Sequence, residues 1–163
     1  MLTIDAAAVE AIVAHARRDH PDEACGIVAG EAGDTAGTVA GSGGVGGADP
    51  RVAQRHIPMQ NAARSMTFYE FDSLELLALY KDMDARDEEP VVIYHSHTAT
   101  EAYPSRTDIG LASEPNAHYV LVSTREHGNN DGPVEFRSYR IQDGEVTEEE
   151  VTVVPAQQPA RRT

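Results

Sequence analysis

Two histidines separated by one serine, His95 and His97, are followed eleven residues later by the aspartate Asp108. Neutral imidazoles and an ionised carboxylate are ligands that zinc accepts, whereas structural zinc and iron–sulfur sites use several thiolates, which this chain lacks. Three protein ligands leave a fourth position for water, as is typical of hydrolytic metal sites. The residue types and their spacing therefore predict a zinc centre built from His95, His97 and Asp108.

The elements around this motif must bring its three side chains together. Segment 90–97 is rich in apolar and β-branched residues and predicts a buried strand. Alternate residues of a strand share a face, so His95 and His97 are expected to project together, with Cα atoms about 6 to 7 Å apart. A short loop over 98–104 leads to a helix predicted from Ser105 to about residue 113. Asp108 lies in its first turn, from which its carboxylate can turn back toward the strand.

The same residues also have a purely structural explanation. Ser105 and Asp108 have the spacing of a capping box, in which the hydroxyl and the carboxylate satisfy free amide groups at a helix N-terminus. A His-x-His pair on a strand also occurs by chance. Two imidazoles at the end of a buried strand must nevertheless find polar partners or cost stability. Spacing alone leaves the structural and the metal interpretations open.

The remaining segments predict an α/β layer around a curved sheet. Helices are expected over 5–19 and 73–86, with Asp5 and Asp72 as their N-caps. Further strands are predicted over segments 25–29, 51–59, 66–71, 119–123, 134–141 and 146–154. The glycine-rich segment 33–49 is predicted to be a flexible insertion and segment 155–163 a disordered tail, so that one domain spans residues 1–154.

The amino-acid composition limits which binding partners and which cellular compartment are expected. The formal net charge is −14, from 27 acidic and 13 basic residues, and this charge disfavours nucleic acid as a partner. No apolar run reaches the 18 or so residues that span a bilayer, and the N-terminus has no basic export leader. The single cysteine, Cys25, excludes an internal disulfide and fits a reducing compartment. We therefore expect a cytoplasmic protein without a membrane partner, whereas the oligomeric state is unknown from sequence.

Cys25 also raises a second chemical hypothesis. Paired with a histidine, it would be the nucleophile of a cysteine protease. A lone cysteine more commonly packs as a small hydrophobe behind a site, and we favour that interpretation here.

The full motif resembles the signature of the JAMM (MPN+) metalloproteases. It comprises His95-x-His97, seven intervening residues, Ser105-x-x-Asp108, and the upstream Glu23 in a Pro-x-Glu-x-Cys-Gly context. In that family the histidine pair and the aspartate bind zinc, which implies His95, His97 and Asp108 as ligands here. The upstream glutamate acts as general base, which implies Glu23. The serine steadies the oxyanion, which implies Ser105.

The likeness covers about residues 4–154 and implies a single domain with a cytidine-deaminase-like, curved mixed β-sheet flanked by helices. Segment 33–49 is a departure from typical members. Segments 56–59, 92–108 and 119–124 are most similar to the compact bacterial peptidases of sulfur-carrier pathways, the Mec type.

This resemblance implies an activity and a partner. Mec-type enzymes hydrolyse the amide bond between the C-terminal Gly-Gly of a ubiquitin-like sulfur carrier protein and an added cysteine, which releases cysteine during cysteine biosynthesis. We expect the Gly-Gly tail to lie beside the strand of His95 and loop 98–104 by β-augmentation. Two alternatives remain: an isopeptidase acting on another ubiquitin-like modifier, and a non-catalytic module in which zinc organises an interaction surface.

Overall fold

The computed structural model describes residues 1–31 and 54–155, and eight strands account for most of its regular structure. In chain order these strands are β1 (Leu2–Asp5), β2 (Cys25–Glu31), β3 (Arg55–Met59), β4 (Glu88–His97), β5 (His118–Ser123), β6 (Glu135–Gln142), β7 (Glu145–Glu149) and β8 (Val151–Val154). Six of them form one sheet in the order β3-β2-β4-β5-β6-β7, and β1 and β8 form a separate parallel pair. Only β4 and β5 run parallel within the large sheet, which is therefore mixed.

Both faces of this sheet are covered, and each has its own apolar core. Helix α1 (Ala6–Asp19) and the β1–β8 pair cover one face, where Ile4, Ile12 and Val28 are fully buried. Helices α2 (Ser73–Ala85) and α3 (Arg106–Leu111) lie on the other face, over a core that includes Ile27 and Leu121. Coverage of both faces explains why β4 and β5 read as continuous apolar runs rather than alternating ones.

The predicted caps and the central strand agree with the structure. The Asp5 carboxylate accepts a hydrogen bond from the backbone N–H of Ala7 at 3.3 Å and begins α1. The Asp72 carboxylate accepts from Leu74 and Glu75, both at 3.0 Å, and begins α2. The mixed sheet flanked by helices confirms the predicted fold class.

The strand predicted over 66–71 is wrong. This segment is irregular except for a single bridge between Asn61 and Phe71. The Asn61 amide provides the reason: it donates to the Phe68 carbonyl at 2.9 Å and accepts from the Glu70 N–H at 3.1 Å. A side chain thus satisfies backbone groups that a sheet neighbour would otherwise have to satisfy. We call residues 61–71 the Asn61 loop.

The strand predicted over 146–154 is two strands in different sheets. β7 ends at Glu149 beside β6, and β8 pairs with β1, a four-residue strand that the sequence analysis did not predict. The chain changes sheets because Leu2 and Ile4 of β1 are fully buried and require apolar neighbours. Val151 of β8 is one of the side chains that pack against their cluster.

Several predictions fall partly outside the described residues. The flexible insertion over 33–49 and nearly all of the tail over 155–163 lie there, as does the first part of the strand predicted over 51–59. The domain boundaries therefore stay predictions. Among the helices that the structure describes, none is long and apolar enough to cross a lipid bilayer.

Candidate metal centre

The three predicted ligands converge at the end of β4. His95 Nε2 lies 3.1 Å from His97 Nε2 and 3.3 Å from Asp108 Oδ1, and His97 Nε2 lies 3.3 Å from Asp108 Oδ2. Strand alternation places both imidazoles on the face that α3 covers, and the first turn of α3 returns the carboxylate to them. One nitrogen or oxygen of each side chain can therefore reach a common point.

These spacings match the dimensions of a tetrahedral zinc site. Ligand atoms at 2.0 to 2.1 Å from an ion at the centre of a tetrahedron lie about 3.3 to 3.4 Å apart. The separations between the three side chains are 3.1 to 3.3 Å, with His95 nearest to Oδ1 of Asp108 and His97 nearest to Oδ2. A buried cluster of two imidazoles and one carboxylate with these separations fits a divalent cation with a fourth position open.

Neighbouring groups orient both imidazoles. His97 Nδ1 lies 2.8 Å from the Glu101 carbonyl oxygen, which favours the tautomer whose Nδ1–H donates and whose Nε2 keeps a lone pair for a metal. The ring of Tyr69, in the Asn61 loop, stacks on the His95 ring at 4.4 Å between centroids. Burial lowers the pKa of His95, although Asp108 acts in the opposite direction. A neutral His95 is the form that binds metal.

Asp108 serves as helix cap and as cluster member together. Its Oδ2 accepts from the Ser105 backbone N–H at 2.6 Å, and Ser105 Oγ accepts from the Asp108 N–H at 3.2 Å. The capping box is therefore real, and the same carboxylate still faces both imidazoles. Burial opposes its charge, but hydrogen bonds with His95 and His97 hold the pKa of Asp108 below its usual range. The structural and the metal interpretations are compatible.

Glu23 lies just before β2, close to the cluster and only 5% exposed. Its backbone N–H donates to the Ser65 carbonyl at 2.9 Å, and the Asn61 side chain donates to the Glu23 carbonyl at 3.0 Å. Burial raises the pKa of Glu23 to about 7; the charge on His97 lowers it and that on Asp108 raises it. A bound cation would oppose this rise.

The serine between the two histidines anchors the neighbour of Glu23. Ser96 projects from the other face of β4, where its Oγ accepts from the Ala24 N–H at 2.8 Å. Its own N–H donates to the Ala24 carbonyl at 2.9 Å. The tripeptide of residues 95–97 therefore supplies the two imidazoles of the cluster from one face and fixes the chain beside Glu23 from the other.

The structure gives no support to Cys25 as a nucleophile. Cys25 is fully buried and lies directly opposite His95 in the β2–β4 ladder. Burial raises the pKa of its thiol to about 12, so the reactive thiolate is absent near neutral pH. The residue packs as a small hydrophobe, as favoured from the sequence.

Sequence reasoning missed three residues that shape this site: Asn61, Tyr69 and Ser96. Only Ser96 carried a signal, its position between two ligands on a buried strand, where a polar group must have a partner. Tyr69 lies in the segment that was predicted to be a strand and Asn61 lies five residues before that segment, and the contacts of both depend on the loop that replaces the strand.

Comparison with known proteins identifies the family. A family model described as prokaryotic homologs of the JAB domain matches residues 5–142. The chain belongs to the prokaryotic JAB family. This confirms the resemblance to JAMM metalloproteases, of which the JAB domain is the common unit. The JAB assignment also implies a bound metal, for which the cluster provides suitable ligands.

The alignments of this JAB domain with its relatives cover most of its length. The CysO-cysteine peptidases of Mycobacterium tuberculosis and Mycobacterium bovis are 57% identical over 154 residues, which cover 94% of this chain and 92% of theirs. A desampylase from Haloferax volcanii is 31% identical over 127 residues, covering 75% of this chain and 80% of its own. The solution structure of protein DSY2949 from Desulfitobacterium hafniense is 30% identical, covers 95% of this chain and 94% of its own, and superposes with a TM-score of 0.71.

Proposed function

We propose that this JAB-family protein is a zinc-dependent peptidase. Its proposed reaction is hydrolysis of the amide bond between the C-terminal Gly-Gly of a ubiquitin-like sulfur carrier protein and cysteine, which releases cysteine in cysteine biosynthesis. The observation that carries this proposal is the 57% identity to CysO-cysteine peptidases over nearly the full length of both chains. The proposed compartment is the cytoplasm, because a lone cysteine fits a reducing environment.

His95, His97 and Asp108 are the proposed zinc ligands. Zinc held by them supplies positive charge that polarises the scissile carbonyl and makes water more acidic. The hydrogen bond from His97 Nδ1 to the Glu101 carbonyl and the ring stack of Tyr69 on His95 hold the imidazoles in place before binding, which reduces the cost of organising the site.

Glu23 is the proposed general base and then general acid. It would accept a proton from the attacking water and deliver it to the amine of the departing cysteine, so that the carboxylate is regenerated after each turnover. Its burial and its raised pKa suit both transfers, because a group that titrates near the working pH can accept and release a proton.

Ser105 is the proposed hydrogen-bond donor to the oxyanion that develops on the scissile carbonyl. Its oxygen already accepts from the Asp108 N–H, so its hydroxyl hydrogen is free to donate while the helix stays capped. Oxyanion donors of this kind contribute about 2 to 4 kcal/mol to transition-state stabilisation.

The expected path of the Gly-Gly tail needs correction. β4 is paired on both edges, with Cys25 of β2 opposite His95 on one side and Leu121 of β5 on the other. An added strand therefore cannot pair with β4 itself. We propose that the tail instead approaches over loop 98–104, whose Glu101 carbonyl contacts His97, or over the Asn61 loop, whose Tyr69 ring stacks on His95.

The decisive experiment supplies the purified protein with two synthetic conjugates of one ubiquitin-like carrier. One ends in Gly-Gly-cysteine and the other carries an isopeptide bond from Gly-Gly to a lysine side chain. We expect release of free cysteine, loss of activity with a chelator, rescue by zinc, and a fall in kcat of about 10²- to 10⁴-fold in Glu23→Gln. A protein that keeps its zinc but cleaves neither conjugate would contradict the proposal.

A second function has one supporting observation. The desampylase from Haloferax volcanii is 31% identical over three quarters of this chain, so an isopeptidase acting on another ubiquitin-like modifier is the alternative. Faster cleavage of the lysine conjugate than of the cysteine conjugate would favour that alternative.

A further inference from the structure

Positive charge is scarce in this acidic protein, and most of the cationic side chains in residues 1–31 and 54–155 have an acceptor nearby. The arginines that pair with a carboxylate are Arg17, Arg18, Arg55, Arg86, Arg125 and Arg137. Arg140 donates to the Asn116 carbonyl. Within residues 1–31 and 54–155, three cationic side chains have neither an ion pair nor a hydrogen bond: Arg64, Lys81 and Arg106.

Two of these three cations border the metal cluster. Arg106 is the first residue of α3 and directly follows Ser105, and Asp108 comes two residues later. Arg64 lies in the Asn61 loop, next to the residue whose carbonyl accepts from the Glu23 N–H. Lys81 lies in α2, which contributes no group to the cluster. Both arginines are exposed, so each is available to a ligand.

An anionic group that enters this site meets repulsion. The protein carries a formal net charge of −14, and Glu23 adds a carboxylate beside the proposed zinc site, where the charge of Asp108 is already used in binding the metal. The departing cysteine of the proposed substrate bears a free α-carboxylate, one carbon atom away from the nitrogen of the scissile bond. A cation that is not already neutralised is what such a substrate needs.

We propose that Arg106 binds the α-carboxylate of the departing residue and thereby restricts cleavage to a single C-terminal amino acid. This inference rests on the proposed peptidase function. A guanidinium donates two parallel hydrogen bonds to a carboxylate, which gives orientation as well as attraction. Adjacent Cα atoms lie 3.8 Å apart, so the long Arg106 side chain is tethered within reach of the groups that Ser105 and Asp108 present.

Arg106 is better placed for this role than Arg64 because its backbone is held more firmly. The capping box between Ser105 and Asp108 fixes the first turn of α3, in which Arg106 lies. Arg64 has a φ of +44° in an irregular loop and is held by one backbone hydrogen bond, to the Asn61 carbonyl.

A selectivity for charge follows from this arrangement. A residue whose α-carboxyl is amidated, or is joined to a further residue, offers no anion to Arg106. The lysine of an isopeptide conjugate likewise places its own carboxyl group several bonds farther from the scissile nitrogen. The guanidinium would thus favour the removal of a single C-terminal residue over general cleavage after Gly-Gly.

The test compares two carrier conjugates, one ending in cysteine and the other in cysteinamide, as substrates of the zinc-loaded protein. We expect the wild type to prefer the acid over the amide by about tenfold or more in kcat/KM, since hydrogen bonds to charged groups have that strength. In Arg106→Ala this ratio should fall to about one, and Arg106→Lys should restore part of it. Lys81→Ala is the matched control and should keep the wild-type ratio.

Each outcome decides a separate point. Equal cleavage of acid and amide by the wild type would overturn the carboxylate site and leave the peptidase function standing, whereas cleavage of neither would refute that function. A ratio that falls in Arg64→Ala but not in Arg106→Ala would overturn the assignment to Arg106. So would a loss of both substrates in Arg106→Ala at an unchanged ratio, because that pattern indicates a structural effect.

Discussion

Asn61 shows how much one side chain contributes to the arrangement of the site. Its amide nitrogen donates to the carbonyls of Glu23 and Phe68, and its oxygen accepts from the N–H groups of Ala63 and Glu70. All of its hydrogen-bonding capacity is thereby used within the protein. The residue is buried and joins the Asn61 loop to the backbone of the proposed general base.

Replacement of Asn61 by aspartate should separate positioning from folding. Aspartate keeps the two acceptor interactions but loses both donations, to the Glu23 and Phe68 carbonyls, and sets a carboxylate oxygen against them, so the base is held less firmly. We expect kcat to fall about tenfold or more with little change in KM, because a bond of this kind contributes about 1 kcal/mol and misplacement adds to the loss. Steady-state kinetics with measured zinc content provides the check, and an unchanged kcat would contradict the positioning role.

The buried thiol gives a prediction that distinguishes metal-dependent hydrolysis from cysteine-protease chemistry. Cys25 has a pKa raised by burial to about 12, so at pH 8 it is a protonated thiol shielded from solvent. We expect iodoacetamide to leave the folded protein unmodified and active, and to label it only in denaturant. Cys25→Ala should keep its activity within about threefold and lose about 1 kcal/mol of stability. Rapid inactivation by alkylation would favour the cysteine-protease hypothesis.

Among the elements, β7 pairs with β6 through its backbone and also carries one buried carboxylate, which links it to β5, to β6 and to the N-terminus. Glu149 accepts hydrogen bonds from His118 of β5, from Ser138 of β6 at 2.9 Å and from the N-terminal ammonium at 2.7 Å. Its side chain is 7% exposed. Burial raises its pKa, but these donors together lower the pKa of Glu149 from 4.5 to about 2.

A depressed pKa makes this contribution to stability dependent on pH. It is fully present above pH 4.5, where Glu149 would be ionised even in the unfolded chain, and it is lost as pH falls toward about 2. Glu149→Gln should lower the free energy of unfolding by about 2 kcal/mol at pH 7 and by much less at pH 3. Urea titrations of both proteins at the two pH values test this, and an equal difference at both would refute it.

Some helices and strands are determined by the local sequence pattern, and others are determined by contacts with distant parts of the chain. The caps Asp5 and Asp72 and the apolar run of β4 were predictable, since helix starts and buried strands depend on adjacent residues. The Asn61 loop was not, because a side chain outside the segment takes its hydrogen bonds. The break between β7 and β8 was not either, since it follows from pairing with β1 at the opposite end of the chain.

The site shows the same division. The cluster of His95, His97 and Asp108 was predictable because its members lie on one strand and one helical turn, whose geometry fixes their directions. On the opposite face of β4, the partners of Tyr94 were not predictable: its hydroxyl lies 2.6 Å from His15 Nδ1 and 2.8 Å from His56 Nε2, and these histidines come from α1 and β3. Contacts between residues tens of positions apart leave no periodic trace in a single sequence.

Metal binding should raise the thermal stability of the whole molecule. The three proposed ligands come from β4 and α3, so zinc would join two elements that otherwise meet through few buried side chains of α3. A ligand at a thousand times its dissociation constant stabilises the folded state by about 4 kcal/mol, which raises Tm by about 10 °C in a protein of this size.

Calorimetry with zinc and with a chelator measures this shift. His95→Ala provides the matched control, and its Tm should no longer respond to zinc, although the apo variant also loses some packing against Tyr69. A wild-type Tm that is indifferent to both additions would show that the cluster holds no metal.

The bond between Ser96 and Ala24 has a consequence for engineering. Because the residue between the two imidazoles is hydrogen-bonded to the neighbour of Glu23, the backbone beside the proposed base is joined directly to the strand that carries two of the proposed ligands. A designer who grafts the ligands and the glutamate onto another scaffold must therefore also copy the hydrogen bonds between Ser96 and Ala24. Without them, the glutamate and the ligands can change position independently of one another.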